Sequence, residues 1–250
     1  MRSTGPGGVE GQVAAVIVAA GSGERLGAGM PKALVPLHGR PMLSWAIEAF
    51  LSHSQIDSVV VVAPTDAVTT VQAQLAFGPA KRLGPVTVVA GGPSRQLSVD
   101  RGVAALESDV ELVLVHDAAR PLVDSSVITA VITQLRSGAQ AVIPVLPVAD
   151  TIKRVDHAGR VVATVDRSEL RAVQTPQGFR YEVLVAAHRA AADSGLSHVT
   201  DDAGLVEALG LTVQTVPGCE RSFKITTPYD LRLAHELAAE PAVAASGRQA

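Results

Sequence analysis

A glycine-rich segment with two cations directly follows the first long apolar run of the chain. Residues Val13 to Ala20 are all apolar, and the sequence GSGERLGAGMPK that follows them carries Arg25 and Lys32. Glycines at the end of a strand let backbone N–H groups approach an anion closely, and two cations seven residues apart can flank a triphosphate. The segment therefore predicts a phosphate-binding loop, with a flexible turn carrying solvated charges as the alternative.

Two better-known phosphate loops do not match this segment. In a dinucleotide fingerprint the third glycine would stand at Leu26, and no acidic residue ends a second strand about twenty residues later. A P-loop would end in Gly-Lys-Ser or Gly-Lys-Thr, but Lys32 follows Met30 and Pro31. The segment is therefore predicted to bind phosphate in some other type of nucleotide site.

A second group of polar residues follows a later apolar run, in the sequence VHDAARPLV. Asp117 comes just after a predicted strand, Arg120 follows three residues later, and Pro121 bends the chain away. An aspartate at a strand exit can accept hydrogen bonds from ribose hydroxyls or help to hold a magnesium ion, and either role suits a nucleotide. The alternative for Asp117 is a helix cap or turn cap.

The sequence GGPSRQLSVDRG offers a third contribution to a nucleotide site. Gly91 and Gly92 permit close approach of the backbone, by which peptide groups could read a small pyrimidine. Ser94 is a plausible N-cap for the helix that carries Arg95 and Ser98. A structural role for Ser94 is therefore as reasonable as a binding role.

Short β-branched runs alternate with amphipathic stretches along the first part of the chain. The predicted strands are Val13–Ala19, Ser58–Ala63, Val86–Ala90, Glu111–His116 and Ala141–Leu146. The predicted helices between them are Pro41–His53, Thr65–Phe77, Arg95–Leu106 and Asp124–Ser137. This alternation predicts an α/β fold, a single Rossmann-like domain with a mostly parallel central sheet. Ligands bind such sheets beyond the carboxyl ends of the strands, where all three polar groups fall.

The pattern changes after Leu146. Runs Thr151–Val155 and Val161–Val165 flank a turn with Gly159, which predicts a β-hairpin. A hairpin alone is marginally stable, so this one is either a flap folded on its own domain or an arm that embraces a second subunit. Further elements follow it: a helix over Tyr181–Ser194, a short helix from Thr200, a strand over Leu211–Val216 and a helix from Pro228.

Composition limits the class of protein. The 250 residues are 47% apolar and carry a net charge of −3, and only 3% are aromatic, so neither a basic surface nor stacking platforms favour nucleic acid. The longest apolar run has eight residues, too few to span a bilayer. The single Cys219 excludes an internal disulfide and favours a cytoplasmic location. We predict tails at residues 1–12 and 241–250, and one domain at 13–240 with an arm at 148–178.

Several motifs in register resemble those of the 2-C-methyl-D-erythritol 4-phosphate cytidylyltransferases, within the nucleotidyltransferase superfamily. The resemblance spans about residues 13 to 237. It is carried by AAGSGERLG, PKAL and GRPML, then GGPSRQLSVDRG, VHDAARPLV and DTIKR, and finally TVDRSEL, QTPQGF, TDDAGLVE and FKITTPYDL.

The resemblance implies transfer of CMP from CTP to methylerythritol phosphate, with pyrophosphate leaving. It implies Mg²⁺ held mainly by the CTP phosphates, with no protein ligand assigned, and a homodimer whose arms complete each other's sites. The catalytic residues it implies are Arg25, Lys32, Arg167 and Lys224. The nucleotide-binding residues are Ala19, Ala20, Gly21, Gly23, Gly92, Ser98, Asp117 and Ala118. The acceptor-binding residues are Asp117, Arg120, Thr151, Arg167, Thr175 and Lys224.

Two rival functions remain open. A cytidylyltransferase for another polyol phosphate, such as ribitol 5-phosphate, would share the nucleotide half, although TVDR and QTPQ favour methylerythritol phosphate. A non-catalytic homologue would be expected to lose Arg25, Lys32 or Lys224, and all three are present. His116 is interpreted as structural because it ends a buried strand, and Cys219 as an incidental loop thiol.

Overall fold

The computed structural model of the chain describes residues 11–21, 29–77, 86–196 and 199–239. Its strands are β1 (Gln12–Val18), β2 (Pro36–Leu37), β3 (Arg40–Pro41), β4 (Ser58–Ala63), β5 (Val86–Ala90), β6 (Val110–Asp117), β7 (Ala141–Pro147), β8 (Ile152–Val155), β9 (Val161–Val165), β10 (Arg171–Val173), β11 (Gln177–Arg180) and β12 (Val213–Pro217). Its α-helices are α1 (Met42–Leu51), α2 (Val68–Phe77), α3 (Arg95–Val103), α4 (Ser125–Arg136), α5 (Tyr181–Ser194), α6 (Asp202–Ala208) and α7 (Pro228–Ala239).

Eight of these strands form one mixed sheet. Strands β5, β4, β1 and β6 lie side by side and run parallel. β11 is antiparallel to both β6 and β7, and β12 runs parallel to β7. Because β11 reverses direction between them, β6 and β7 still point the same way, and their carboxyl ends reach the same edge of the sheet. The prediction of an α/β fold with a mostly parallel sheet is confirmed.

The central strands are mostly apolar because helices cover both faces of the sheet. In β1, Val13, Ala15 and Ile17 pack into one hydrophobic cluster and Ala14 and Val16 into another. Side chains alternate between the two faces of a strand, so each residue finds a core to enter. Helices α1 and α4 contribute to the first cluster, and α3, α5 and α6 contribute to the second.

The helix starts agree with the sequence signals. Asp124 and Ser94 cap α4 and α3 by accepting hydrogen bonds from the backbone N–H groups of Ser126 and Leu97. Gly102 lets α3 lie close to the sheet, because a Cβ there would come within 2.5 Å of Val16 Cγ1. The closeness of this packing fixes the N-terminal end of α3 at the sheet edge where ligands bind.

Most predicted helices and strands are present in the structure, with differences at one helix start and at two short strands. β4, β5 and α5 have the predicted bounds, whereas the predicted helix from Thr65 begins with one turn of 3₁₀ helix. Strands β10 and β11 were not predicted, because runs of three and four residues with polar members carry too little periodicity to read. β10 and the first two residues of β11 fall within the range 148–178 predicted as the arm, and both strands belong to the main sheet.

The predicted hairpin is present as β8 and β9, which pair with each other in a separate two-stranded sheet. Val155, Val161 and Val162 on it are more than half exposed. The predicted tails lie almost wholly outside the described residues, except that β1 already begins at Gln12. No helix in the described part of the chain is long and apolar enough to cross a membrane.

Candidate active site

A cavity of about 660 Å³ opens at the carboxyl edge of the central strands. Its lining includes nine residues that the sequence analysis assigned to the site: Ala19, Ala20, Gly21, Lys32, Gly92, Ser98, Asp117, Ala118 and Lys224. The other lining residues are Val18, Ala33, Pro93, Ser94, Arg95, Ala119 and Thr226. Segments separated by up to two hundred residues thus meet where parallel sheets ordinarily bind their ligands.

Of the assigned residues that the structure describes, four do not lie in this lining: Arg120, Thr151, Arg167 and Thr175. Gly23 and Arg25 fall outside the described residues. Thr151 and Arg167 are exposed on and near the hairpin, where the Arg167 guanidinium contacts the carbonyl oxygen of Ala149. Arg120 and Thr175 lie beneath the cavity, next to the strand that carries Asp117.

Charge in the cavity favours an anionic ligand. Among its described lining residues, Lys32, Arg95 and Lys224 are cations and Asp117 is the only carboxylate. Lys32 begins a single turn of 3₁₀ helix, closed by hydrogen bonds from the N–H groups of Leu34 and Val35. A concave site with an excess of positive charge concentrates polyanions such as nucleotide triphosphates.

Asp117 is the electrostatic centre of the cavity. Its Oδ2 accepts a hydrogen bond from Lys224 Nζ at 2.8 Å, and its Oδ1 lies 3.3 Å from Arg95 Nε. Burial by itself would raise the pKa of Asp117, but the charges of Arg95 and Lys224 outweigh it and hold that pKa well below its usual range. Asp117 is therefore ionised near neutral pH.

A short hydrogen-bond chain fixes the backbone beside Asp117. The Asp117 N–H donates to Thr175 Oγ1 at 3.1 Å, and the Thr175 hydroxyl lies 3.0 Å from His116 Nδ1. His116 Nε2 lies 3.1 Å from the carbonyl oxygen of Arg120, which can only accept a hydrogen bond. In the neutral ring Nε2 therefore carries the proton and donates it, and Nδ1 accepts a hydrogen bond from the Thr175 hydroxyl. Burial lowers the pKa of His116 to about 4. His116 is fully buried, as a structural histidine should be.

Arg120 holds two neighbouring segments rather than lining the cavity. Its guanidinium donates to the carbonyl oxygens of Ser222 at 2.9 Å and Val173 at 3.3 Å. Burial lowers its pKa, although the charge of Asp117 opposes this effect. Its buried Nε has no hydrogen-bond partner among the described residues. Arg120 thereby ties the segment before Lys224 to the end of β10.

The loop between β5 and α3 presents backbone groups to the cavity. Ser98 Oγ accepts from the Gly92 N–H at 3.0 Å and donates to the Ser94 carbonyl at 2.8 Å. A Cβ at Gly91 would lie 2.5 Å from Ala20 Cβ, and one at Gly92 would lie 2.6 Å from Leu97 Cβ. Glycine at these two positions is therefore required by close packing, which brings the loop against the end of the first strand.

Arg95 and Asp202 form an ion pair at the cavity that the sequence motifs do not indicate. Arg95 NH1 lies 2.7 Å from Asp202 Oδ2, and Asp202 is almost completely buried. Burial would lower the pKa of Arg95, but the carboxylates of Asp202 and Asp117 raise it above its usual value. Arg95 could have been suspected, because it opens a helix directly after a parallel strand. The pairing with Asp202 had no local signal.

The described side chains do not form a metal cage. No group of three or more His, Cys, Asp or Glu residues in the described part of the chain could hold a metal ion. Asp117 is the one carboxylate among the described lining residues, and Mg²⁺ is often bound through one or two carboxylates with substrate phosphates completing its shell. The residues present thus fit a metal that arrives with a nucleotide.

Comparisons with known proteins agree with this geometry. A family model described as 2-C-methyl-D-erythritol 4-phosphate cytidylyltransferase matches residues 13–239. Two proteins of that name are similar in sequence. The one from Rhodococcus opacus is 52% identical, covering 93% of this chain and 97% of its own, and the one from Frankia casuarinae is 51% identical, covering 91% and 82%.

Solved structures are similar as well. The crystal structure of 2-C-methyl-D-erythritol 4-phosphate cytidylyltransferase from Thermus thermophilus has a TM-score of 0.72 at 37% identity, covering 89% of this chain and 97% of that one. The 4-diphosphocytidyl-2C-methyl-D-erythritol synthase from Anaerococcus prevotii has a TM-score of 0.79 at 29% identity, covering 92% and 99%. The chain therefore belongs to the family of 2-C-methyl-D-erythritol 4-phosphate cytidylyltransferases.

Proposed function

We propose that this protein transfers CMP from CTP to 2-C-methyl-D-erythritol 4-phosphate and releases pyrophosphate. Family membership supports the reaction, and one observation supports its location. Lys32, Arg95, Lys224 and Asp117 line a single cavity beside the glycine loop of the β5–α3 connection. A cationic cavity with one carboxylate suits two phosphate-bearing substrates that must be brought together.

The chemistry needs positioning and charge more than acid–base catalysis. A phosphate monoester is largely dianionic near neutral pH, since its second pKa is about 6, so its oxygen can attack the α-phosphorus of CTP without a general base. The new bond joins the acceptor phosphate oxygen to the α-phosphorus, and the bond from that phosphorus to the bridging oxygen of pyrophosphate breaks. Cations that stabilise the charge gathering on phosphorus and the leaving group supply the catalysis.

In this proposal the two substrates use different parts of the cavity. CTP lies along Ala19, Ala20, Gly21 and Gly23, with its base against Gly92 and Ser98, its ribose near Asp117 and Ala118, and its phosphates between Arg25 and Lys32. The acceptor phosphate lies at Lys224. Arg120 and Thr175 belong to the acceptor half as residues that hold Asp117 and the Lys224 segment in place, because their hydrogen bonds are made to those parts of the chain.

We further propose that the active species is a homodimer. Arg167 and Thr151 carry suitable groups for the acceptor, yet neither lines the cavity of its own chain. The β8–β9 hairpin beside them exposes three valines, which a second subunit would cover. An arm crossing to the partner accounts for both observations. We also propose a cytoplasmic location, in keeping with a single cysteine.

Magnesium is the proposed metal cofactor. When bound, Mg²⁺ neutralises phosphate charge and stabilises the departing pyrophosphate. Its ligands would be mainly CTP phosphate oxygens, with no protein ligand assigned. Asp117 is the one carboxylate among the described lining residues, and its two oxygens already face Lys224 and Arg95.

A competition assay tests the function directly. The enzyme is supplied with CTP and Mg²⁺, together with methylerythritol phosphate, ribitol 5-phosphate or both, and pyrophosphate release is followed. We expect release with methylerythritol phosphate to dominate when both acceptors are present. A preference for ribitol 5-phosphate would overturn the substrate but leave the cytidylyl transfer, and no release with either would overturn the enzyme assignment.

A further inference from the structure

The Arg95 guanidinium joins two carboxylates that belong to different parts of the fold. Nε lies 3.3 Å from Asp117 Oδ1, in the cavity, and NH1 lies 2.7 Å from Asp202 Oδ2, behind it. Asp117 ends β6 and Asp202 begins α6, whereas Arg95 begins α3. One side chain therefore connects a buried acid outside the reaction site to the acid at its centre.

Asp202 is held more firmly than an ordinary surface partner. Its side chain is 1% exposed, and its Oδ1 lies 3.2 Å from Nε2 of the equally buried His188 on α5. Its backbone N–H donates to Gln177 Oε1 at 3.2 Å, and Gln177 lies on β11 of the main sheet. His188 thus holds the carboxylate from the side of α5, and Gln177 holds the backbone of Asp202 from the side of the sheet.

This placement restricts what Arg95 can do. An arginine at a cavity wall has several rotatable bonds and would lean toward any phosphate in the cavity. The bond from NH1 to Asp202 pulls one end of the guanidinium away from the cavity and leaves Nε for Asp117. Asp117 in turn bonds Lys224 through its other oxygen. The position of Lys224 therefore depends on where Arg95 is held.

We propose that Asp202 is a positioning residue for the transfer reaction: by holding one end of Arg95 it sets the Asp117–Lys224 pair that receives the acceptor phosphate. The inference rests on the proposed function, and it extends the site to a residue that touches no substrate. Its larger effect falls on the acceptor half, because Lys224 is bonded directly to Asp117. CTP meets Asp117 only through its ribose in the proposed arrangement, and its phosphates meet Lys32 on another segment.

The chain offers a matched control one residue away. Asp202→Asn and Asp201→Asn each remove one negative charge from the start of α6. Asp201 caps that helix by accepting from the Gly204 N–H, a role that asparagine also performs well, and it makes no contact with Arg95 among the described hydrogen bonds. A difference between the two variants reports the contacts of Asp202 with Arg95 and His188 rather than the charge of the helix start, and a double-mutant cycle then isolates the bond to Arg95.

The measurement separates acceptor use from nucleotide binding. We expect Asp202→Asn to lower kcat/KM for the acceptor by about tenfold or more, because small misplacements cost rate steeply, while the Kd for CTP from calorimetry changes less than about threefold. Asp201→Asn should resemble the wild type in both. Equal behaviour of the two variants, or an equal loss in CTP binding and acceptor use, would overturn the proposal.

A double-mutant cycle with Arg95→Gln tests the route. If Asp202 acts through Arg95, the variant with both Asp202→Asn and Arg95→Gln has the same kcat/KM as Arg95→Gln alone. If the two substitutions act independently, their fold losses in kcat/KM multiply, and that result would overturn the proposal. Should Asp202→Asn fail to fold, Arg95→Lys replaces it, because a single ammonium cannot reproduce the fork between both carboxylates. Wild-type acceptor efficiency in a folded Arg95→Lys protein would then overturn the proposal. An inactive wild type would instead refute the proposed function, so the two failures are distinguishable.

Discussion

Lys224 Nζ lies 2.8 Å from Asp117 Oδ2, although the two residues are separated by 107 positions in the sequence. The neighbouring backbone fixes this pair, because the N–H of Ile225 donates to the carbonyl oxygen of Ala119 at 2.9 Å and the Ile225 side chain is fully buried. The cation is thus anchored at the cavity wall before any substrate is present. Asp117 holds it there as an ionised carboxylate.

Lys224→Ala should damage acceptor use far more than nucleotide binding. The lysine belongs to the proposed acceptor half, and holding the acceptor phosphate in line with the α-phosphorus is a geometric demand that affects rate steeply. We expect a loss of about a hundredfold in kcat/KM for the acceptor, with CTP affinity by calorimetry nearly unchanged. Lys224→Arg serves as the charge-conserving comparison. Equal losses for the two substrates would mean that Lys224 supports the fold or the nucleotide instead.

Lys32→Ala should lower kcat by at least about a hundredfold in a folded protein, because charge acting on the transition state is typically worth several kcal/mol. Arg25→Ala, at the other cation of the glycine-rich segment, should do the same. Turnover is measured together with thermal melting. Arg189→Ala, which removes an exposed cation from α5, is the control and should retain activity. Near-normal kcat in folded Lys32→Ala would refute the assignment.

Arg167 and Lys32 should complement each other between subunits. If Arg167 acts across a dimer, mixing the inactive variants Arg167→Ala and Lys32→Ala under subunit exchange creates hybrids with one intact site. We expect activity to return to part of the wild-type level on mixing, measured by pyrophosphate release. Inactive mixtures in which hybrids are confirmed by mass, or an active monomer, would exclude a shared site.

The free energy of unfolding should decrease in mild acid because His116 is buried in its neutral form. Burial lowers its pKa from 6.5 to about 4 in the folded chain. Between these two values the unfolded state binds a proton that the folded state does not, so the free energy of unfolding decreases as pH falls from about 6.5 to 4. Above about pH 6.5, His116 does not contribute to the pH dependence of the free energy of unfolding. At about 1.4 kcal/mol for each pH unit, its contribution is on the order of 3 kcal/mol.

Urea unfolding at several pH values measures this effect. A His116→Asn protein should lose most of the slope between pH 6.5 and 4, whereas His157→Asn, which alters an exposed histidine on the hairpin, should keep it. A slope in His116→Asn as steep as that of the wild type would show that other groups cause the acid sensitivity.

The sequence by itself determined the fold class and most of the nucleotide cavity. Nearly all-apolar runs such as Ser58–Ala63 indicate strands covered by helices on both faces, and such strands are typical of a parallel sheet. In such a sheet the carboxyl ends meet at one edge, and that rule alone brings Lys32, Gly92 and Asp117 together. These inferences need only local composition and the order of elements along the chain.

Tertiary structure alone decided the polar network around that cavity. Ion pairs such as Arg95 with Asp202 join residues 107 positions apart, and their partners are chosen by helix packing and side-chain direction, which no local pattern encodes. For the same reason the sequence does not show the bonding of Thr175. It is predicted to contact the acceptor, but its hydroxyl is hydrogen-bonded to the Asp117 backbone N–H and to His116. Local patterns also do not show β10 and β11, which are too short for periodicity and exist because β6 and β7 offer them unpaired backbone groups.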